Sequence, residues 1–242
     1  MSRSNFNQTF NPCHIWFGIN GNDGSVNVFD IDTGEKSNVN IPFTFLYLDQ
    51  TSTIKGWDGE NDCGIWSNEV QDLKKFPFVV RSTKTGVIAE GLYKEISDKI
   101  KAFGAHFVLN VYIATKTPAG EYEIGCLNLK GATLQEWFVF RRSNYRDICS
   151  KAVSIISFRD EKKGVISYKV PVFSIVESDD EGNKIALELD RKLQEHFDIL
   201  FNKNIEEKVD VETPESLATP VQDNQELKPE NFEHNEHNEL PF

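Results

Sequence analysis

Short segments in which aromatic and β-branched residues alternate with polar ones recur from residue 14 to residue 176, and they constrain the fold of this chain most strongly. In residues 105–115, apolar side chains at odd-numbered positions alternate with His106, Asn110 and Tyr112. This period of two is typical of strands that bury one face. Aromatic residues make up 12% of the chain and include eighteen Phe, so these segments can bury a core, which excludes wholesale disorder.

Turn residues divide the alternating segments into a series of predicted strands. The glycines from Gly18 to Gly24 lack the Lys and the following helix that a phosphate-binding loop needs, so we interpret them as a hairpin turn. The predicted strands are 14–17, 25–31, 41–49, 53–57, 63–70, 76–81, 86–91, 105–115, 121–127 and 134–142, followed by a hairpin of 152–158 with 165–176.

Two segments change to a helical period. Apolar residues recur every three or four positions over 92–103, and Gly104 follows as a stop signal; a longer apolar stripe covers 184–203. One short helix among strands is the element order of an OB-type Greek-key barrel. We therefore predict a mainly β fold: a five-stranded OB-fold barrel with extra β-hairpins, a short helix between strands 3 and 4, and a C-terminal helix that docks on the body or on a second subunit.

Charge is distributed unevenly along the chain. The formal net charge is −12, but residues 206–242 hold eleven acids and two bases, a net of −9, whereas residues 74–169 hold seventeen bases and nine acids, a net of +8. Hydrophobic periodicity ends near residue 204. We predict a folded domain over 1–204 and a disordered acidic interaction tail over 205–242.

Several classes of protein find no support in the sequence. No apolar run approaches the roughly 18 residues that a membrane span needs, and no signal-type run follows the N-terminus, which favours a cytoplasmic protein with four free Cys. A zinc site from Cys13, His14, Cys63 and Cys126 lacks the close ligand pairs of structural zinc. No nucleophile elbow, HExxH or P-loop occurs, so we expect no catalytic residues, no cofactor and no enzymatic activity.

The acidic tail ends in two large apolar side chains, Leu240 and Phe242, around Pro241. A tail that only kept the protein soluble would not need them, whereas in a partner's pocket they would serve as anchors. Nearby carboxylates such as Glu236 and Glu239 would then meet a basic rim. We expect these five residues to bind partner proteins.

An acidic tail with a Leu-Pro-Phe tip resembles that of bacterial and phage single-stranded DNA-binding proteins. Segments 54–57, 64–70 and 131–137 are similar to the phage-encoded branch of that family. The resemblance implies a protein that binds and protects single-stranded DNA in phage replication, recombination and repair, and that recruits replication or recombination proteins through its tail. The extra segments at 13–31 and 184–203 leave the oligomeric state open, with a homo-oligomer as one possibility.

The residues themselves offer what a sequence-tolerant single-strand binder needs, which is aromatic rings for bases and cations for phosphates. Strand alternation places Lys55 with Trp57, and Trp137 with Arg141, on shared faces, and turns Tyr112 away from the apolar row of its strand. The predicted nucleic-acid-binding set is Lys55, Trp57, Trp66, Lys74, Lys75, Arg81, Lys84, Tyr112, Lys116, Trp137, Arg141, Arg142 and Arg146.

Two other functions stay open at this point. The chain could be a β-rich viral structural or assembly protein whose acidic tail binds another protein, without affinity for DNA. It could also be a DNA-processing enzyme, which would require a metal-binding carboxylate set that the sequence does not display.

Overall fold

The computed structural model describes residues 11–117 and 119–209, with side chains described as far as residue 201. Strands dominate this part of the chain, which confirms the prediction of a mainly β fold. The strands are β1 (Ile15–Asn20), β2 (Ser25–Asp30), β3 (Lys36–Val39), β4 (Phe43–Asp58), β5 (Cys63–Ser67), β6 (Phe78–Ser82), β7 (Gly86–Gly91), β8 (Ala105–Lys116), β9 (Tyr122–Leu129), β10 (Ala152–Lys163) and β11 (Ile166–Val176).

The described residues also form three helices: α1 (Tyr93–Ala102) and α2 (Gly131–Ser143), which lie between strands, and α3 (Asp180–Val209), which follows the last strand. The helices predicted at 92–103 and 184–203 are confirmed, and α3 continues past the predicted domain boundary. The predicted strand at 134–142 is wrong, because this segment forms most of α2. None of the helices in the described part is long and apolar enough to cross a membrane.

The sheet is mixed and open. Its strands follow the order β3-β2-β1-β9-β8-β4-β5-β6-β7, and the β10–β11 hairpin joins it through the start of β4. All pairs are antiparallel except β1 with β9. Because β1 occupies the outer edge of β9, that edge is not free to close a barrel. The sheet is therefore not closed, and the predicted five-stranded OB-fold barrel is not confirmed. The predicted hairpins at 14–31 and 152–176 are confirmed.

The main core lies on one side of this sheet. Apolar side chains of β4, β8 and β9, such as Ile54, Val111 and Leu127, are fully buried there. Helix α2 packs onto the same side with Trp137, whose ring contacts the rings of Phe45, Tyr47, Phe140 and Phe173 at centroid distances of 5.3–6.5 Å. Burial of so much aromatic surface is the main stabilising term of such a layer.

Helix α3 packs on the opposite side of the sheet. Its Leu193 and Phe197 are buried against Cys13, Tyr112 and Cys126, in a second and smaller cluster. The helix covers only part of that side. The neighbouring part, which carries polar, basic and aromatic residues, is not covered by any other described element.

Candidate nucleic-acid interface

The open part of this side of the sheet, which we call the polar face, runs from β3 to β6. Residues paired across adjacent strands point to the same side of a sheet. Lys55 pairs with His106 and with Trp66, and Trp66 pairs with Arg81. The polar face consists of Lys36, Phe29, Asn27, Trp16, Gly18, Asn128, Asn110, His106, Lys55, Trp57, Trp66 and Arg81.

Lys55 lies at the centre of the polar face. Its Nζ donates hydrogen bonds to Asn128 Oδ1 at 2.9 Å and Asn110 Oδ1 at 3.5 Å, and lies 4.4 Å from the ring centroid of Trp16. Partial burial lowers the pKa of this ammonium group. No described carboxylate forms an ion pair with it. A desolvated cation held by amides and a ring is well placed to attract an anion from outside.

Two further cations stack on aromatic rings of the same face. The Arg81 guanidinium lies 5.7 Å from the Trp66 ring, and the Lys36 ammonium lies 5.8 Å from the Phe29 ring. Trp66 is 47% exposed, Phe29 is 38% exposed and the nearby Trp57 is 58% exposed. Rings held open to solvent beside cations can stack on bases while the cations contact phosphates.

Amide groups hold the surface between these rings in place. Asn128 Nδ2 donates to Asn110 Oδ1 at 3.2 Å and contacts Cys126 Sγ at 3.3 Å. The Asn110 side chain is fully buried, and its Nδ2 has no hydrogen-bond partner among the described residues. This network fixes the acceptors of Lys55 and therefore the position of its ammonium group.

Tyr112 turns away from the main core, as the alternation of its strand predicts, but its ring is not accessible for stacking on a base. Phe197 of α3 covers it with a ring-centroid distance of 5.1 Å, and Tyr112 is 2% exposed. Its hydroxyl donates to Glu69 Oε2 at 2.8 Å. Burial, together with this carboxylate, raises the pKa of Tyr112 well above its usual value.

Trp137 was predicted to share a strand face with Arg141, and this placement is wrong. The residue lies in α2, is fully buried in the main core, and donates from Nε1 to Gln50 Oε1 at 3.3 Å. Its ring therefore has no face free for a base. Arg141, on the same helix, lies 5.8 Å from the buried ring of Tyr47.

The other predicted cations lie outside the polar face. Lys74 and Lys75 belong to the β5–β6 connection, where Lys75 pairs with Asp72 at 3.5 Å. Lys116 stacks on Tyr122 at the far end of β8. The remaining three are Lys84, whose ammonium donates to the Asn61 carbonyl, and Arg142 and Arg146, which are exposed at and beyond the end of α2.

Several side chains of the polar face were not predicted, namely Trp16, Asn27, Phe29, Lys36, His106, Asn128 and, buried beneath them, Asn110. Four of these residues belong to β1, β2 and β3, which lie outside the five-stranded barrel that the sequence predicted. The alternation of Trp16 with Phe17 and of Phe29 with Val28 was the available signal. Which face lay open, however, depended on the position of α3.

Some predicted sites cannot be placed. Glu236, Glu239, Leu240, Pro241 and Phe242 lie outside the described residues. The alternative zinc site is not assembled: over residues 11–117 and 119–209, no three His, Cys, Asp or Glu side chains form a group that could hold a metal ion.

No protein-family model, curated protein or solved structure matches this chain.

Proposed function

We propose that this protein binds single-stranded DNA across the polar face, without strong sequence preference. The observation that supports the proposal most strongly is the repeated pairing of ring and cation on one surface. The exposed rings of Phe29 and Trp66 lie beside Lys36 and Arg81, and the partly buried pair of Trp16 with Lys55 lies between them. Stacking on rings tolerates any base, because every base has a π-face, and each stacked base contributes about 1–3 kcal/mol.

The spacing of the pairs fits an extended strand that crosses the sheet. Neighbouring strands of a sheet lie about 4.8 Å apart. Phe29 on β2 and Trp66 on β5 are five strand spacings apart, which is about 24 Å across the sheet. Their rows meet β4 at Asp49 and at Lys55, about 20 Å apart along the strand, so the track runs diagonally over about 30 Å. A polynucleotide can lie along such a track with several bases over the rings in turn.

The biological role follows from the same proposal. The protein would coat and protect single strands during DNA replication, recombination and repair in a phage-infected cell, in the host cytoplasm and without catalysing a reaction. The tip at 240–242 would recruit replication or recombination proteins. A relationship to OB-fold binders belongs to the proposal as well, and it rests on the position of α1 between β7 and β8.

A fluorescence titration tests the proposal. A poly-dT oligonucleotide is added at two salt concentrations while Trp emission is followed. Because Trp57 and Trp66 are exposed and Trp137 is buried, quenching should come mainly from the first two. Trp66→Ala should weaken binding about 5- to 150-fold, which corresponds to the loss of one stacked base.

A matched control is available away from the polar face. Tyr145 is 65% exposed and its ring lies 5.4 Å from the Arg146 guanidinium, so it forms a similar ring–cation pair beyond α2. Tyr145→Ala should leave affinity unchanged. Equal losses in both variants would contradict the placement of the interface on the polar face.

The same titration separates the alternatives. Absence of any salt-dependent affinity for the wild-type protein would refute DNA binding and favour a β-rich viral structural or assembly protein with an acidic interaction tail. Cleavage of the oligonucleotide in the presence of Mg²⁺ would instead favour a DNA-processing enzyme.

A further inference from the structure

A large cleft adjoins the polar face. It lies between the turn of the β1–β2 hairpin, the first half of α2, the β10–β11 hairpin and the ends of β4 and β8 where these strands meet. Its volume is about 1510 Å³, above the usual range for small-molecule pockets, which is roughly 300–1,000 Å³. A cleft of this size suits a segment of polymer better than a compact ligand.

The cleft and the polar face form one continuous surface. Lys55, Trp57 and Asn128 belong to the polar face and also line the cleft. Trp57 is well exposed at this junction. A strand that leaves Trp66 and passes Trp57 therefore arrives at residues that line the cleft.

The cleft is basic although the folded body carries a small negative charge. Six Lys and Arg residues and two Glu residues line it, a net charge of +4. Both carboxylates are already engaged by Arg159, whose NH2 group lies 2.6 Å from Glu136 Oε2 and 2.9 Å from Glu161 Oε1. These ion pairs also join α2 to the β10–β11 hairpin, which fixes one wall of the cleft.

Lys130, just before α2, and Lys163, at the end of β10, remain available in the cleft. Both are exposed, and neither forms an ion pair with an acid of the described residues. Between them, the cleft offers the half-buried Tyr168 and the exposed Val139 as apolar surface. Unpaired cations beside apolar and aromatic surface are what a single strand requires.

We infer that the cleft holds a second segment of the same single strand, so that DNA crosses the polar face and then turns past Trp57 into the space between α2 and the β10–β11 hairpin. This inference rests on the proposed function. It assigns Lys130 and Lys163 to phosphate contacts that only a long oligonucleotide makes, because a short one is accommodated by the polar face alone.

The test compares two oligo-dT lengths, about 5 and about 15 nucleotides, within the range of site sizes of known single-strand-binding folds. The full-length protein carries the double substitution Lys130→Gln and Lys163→Gln. In a plot of log K against the logarithm of the salt concentration, each phosphate contact with a single strand contributes about 0.7 to the steepness of the slope. Loss of two contacts should therefore make the slope for the long oligonucleotide shallower by about 1.4. Between about 50 and about 200 mM salt, the variant should then lose about sevenfold less affinity than the wild type loses. The short oligonucleotide should bind both proteins alike.

The control changes the same charge outside the cleft. Lys99 on α1 and Lys162 on β10 are exposed and do not line the cleft. Lys99→Gln with Lys162→Gln should leave both lengths unaffected. If the salt slope became shallower by the same amount in both double variants, the effect would come from the overall charge of the protein. That result would overturn the inference.

Other outcomes are equally decisive. If the cleft variant binds both lengths as the wild type does, while Trp66→Ala weakens them, the cleft holds no DNA and the polar face remains the interface. If the cleft variant weakens both lengths equally, the assignment of the cleft as a second segment is wrong. If the wild-type protein binds neither length, the proposed function itself fails.

Discussion

Gly56 pairs with Ala105 at the end of the β4–β8 ladder, between Lys55 and Trp57 of the polar face. A Cβ atom at this position would lie 2.4 Å from Ala105 Cα and 2.6 Å from the Gly104 carbonyl oxygen. Both neighbours are backbone atoms, which cannot move aside like the end of a flexible side chain. The absence of a side chain at position 56 thus allows the two paired strands to lie this close together at their end.

We predict that Gly56→Ala destabilises the protein by about 1–3 kcal/mol, because the added methyl group forces the two strands apart. Gly64→Ala on β5 is the matched control, since a Cβ there meets nothing within 4 Å; it should be neutral or stabilising by up to about 1 kcal/mol. Urea unfolding of the two variants measures both effects. Equal unfolding midpoints would show that the strands do not approach as closely as described.

At the scale of single residues, alternation was a sufficient guide where no other element covers the sheet. Lys55 and Trp57 were predicted from it, and they lie on the polar face beside Trp66 and Arg81, which were predicted from ring and charge alone. Tyr112 has the same kind of alternation but is covered by Phe197, which lies 85 positions further along the chain. A local pattern tells which side of a strand a residue faces, not what packs against that side.

Helix α2 shows how an element can be assigned wrongly from its pattern. Four successive apolar residues at 137–140 fit a buried strand as well as a buried helix. In the folded protein Leu134, Trp137 and Phe140 form one buried side, whereas Val139 is 60% exposed. The three buried positions have helical spacing. The large ring of Trp137 favours the helix over a strand because it fills the space above β4.

Helix α3 was predicted as an amphipathic helix, and its packing defines the limit of the polar face. We predict that Phe197→Ala lowers the stability of the whole protein by about 3–5 kcal/mol, because the buried ring leaves a cavity against Tyr112. Ile199→Ala, on the same helix at a position that is 45% exposed, should change stability by less than about 0.5 kcal/mol. Circular dichroism during thermal unfolding gives both values.

A different outcome would change the description of this element. If Phe197→Ala left the main unfolding transition unchanged and only reduced the helical signal, α3 would be an appendage that unfolds separately. The polar face would then extend over Tyr112 whenever the helix detached.

At the scale of the whole molecule, the distribution of charge separates two roles. Because α3 continues to Val209, a truncation that respects the fold removes residues 210–242, which contain nine acids and one base, a net charge of −8. We predict that this truncation leaves affinity for oligo-dT unchanged or increases it, since it removes charge that repels phosphate. Any gain should shrink as salt rises, because salt screens the repulsion.

A variant with Leu240→Ala and Phe242→Ala is the control for this experiment. It keeps every charge of the tail and should bind oligo-dT like the wild-type protein, while losing the apolar tip proposed to engage partner proteins. Loss of DNA binding on truncation would contradict the division of the chain into a DNA-binding body and a partner-binding tail.

Local period and composition were enough to predict the mainly β character, two of the three helices of the described residues, most strand positions and the uneven charge. Long-range contacts were needed to show that the sheet stays open, that α3 covers Tyr112, and that Trp16, Phe29 and Lys36 join Lys55 on one surface. The parallel pairing of β1 with β9 joins residues more than one hundred positions apart. Alternation within a strand carries no information about such a partner, so the surface emerges only when distant strands pair.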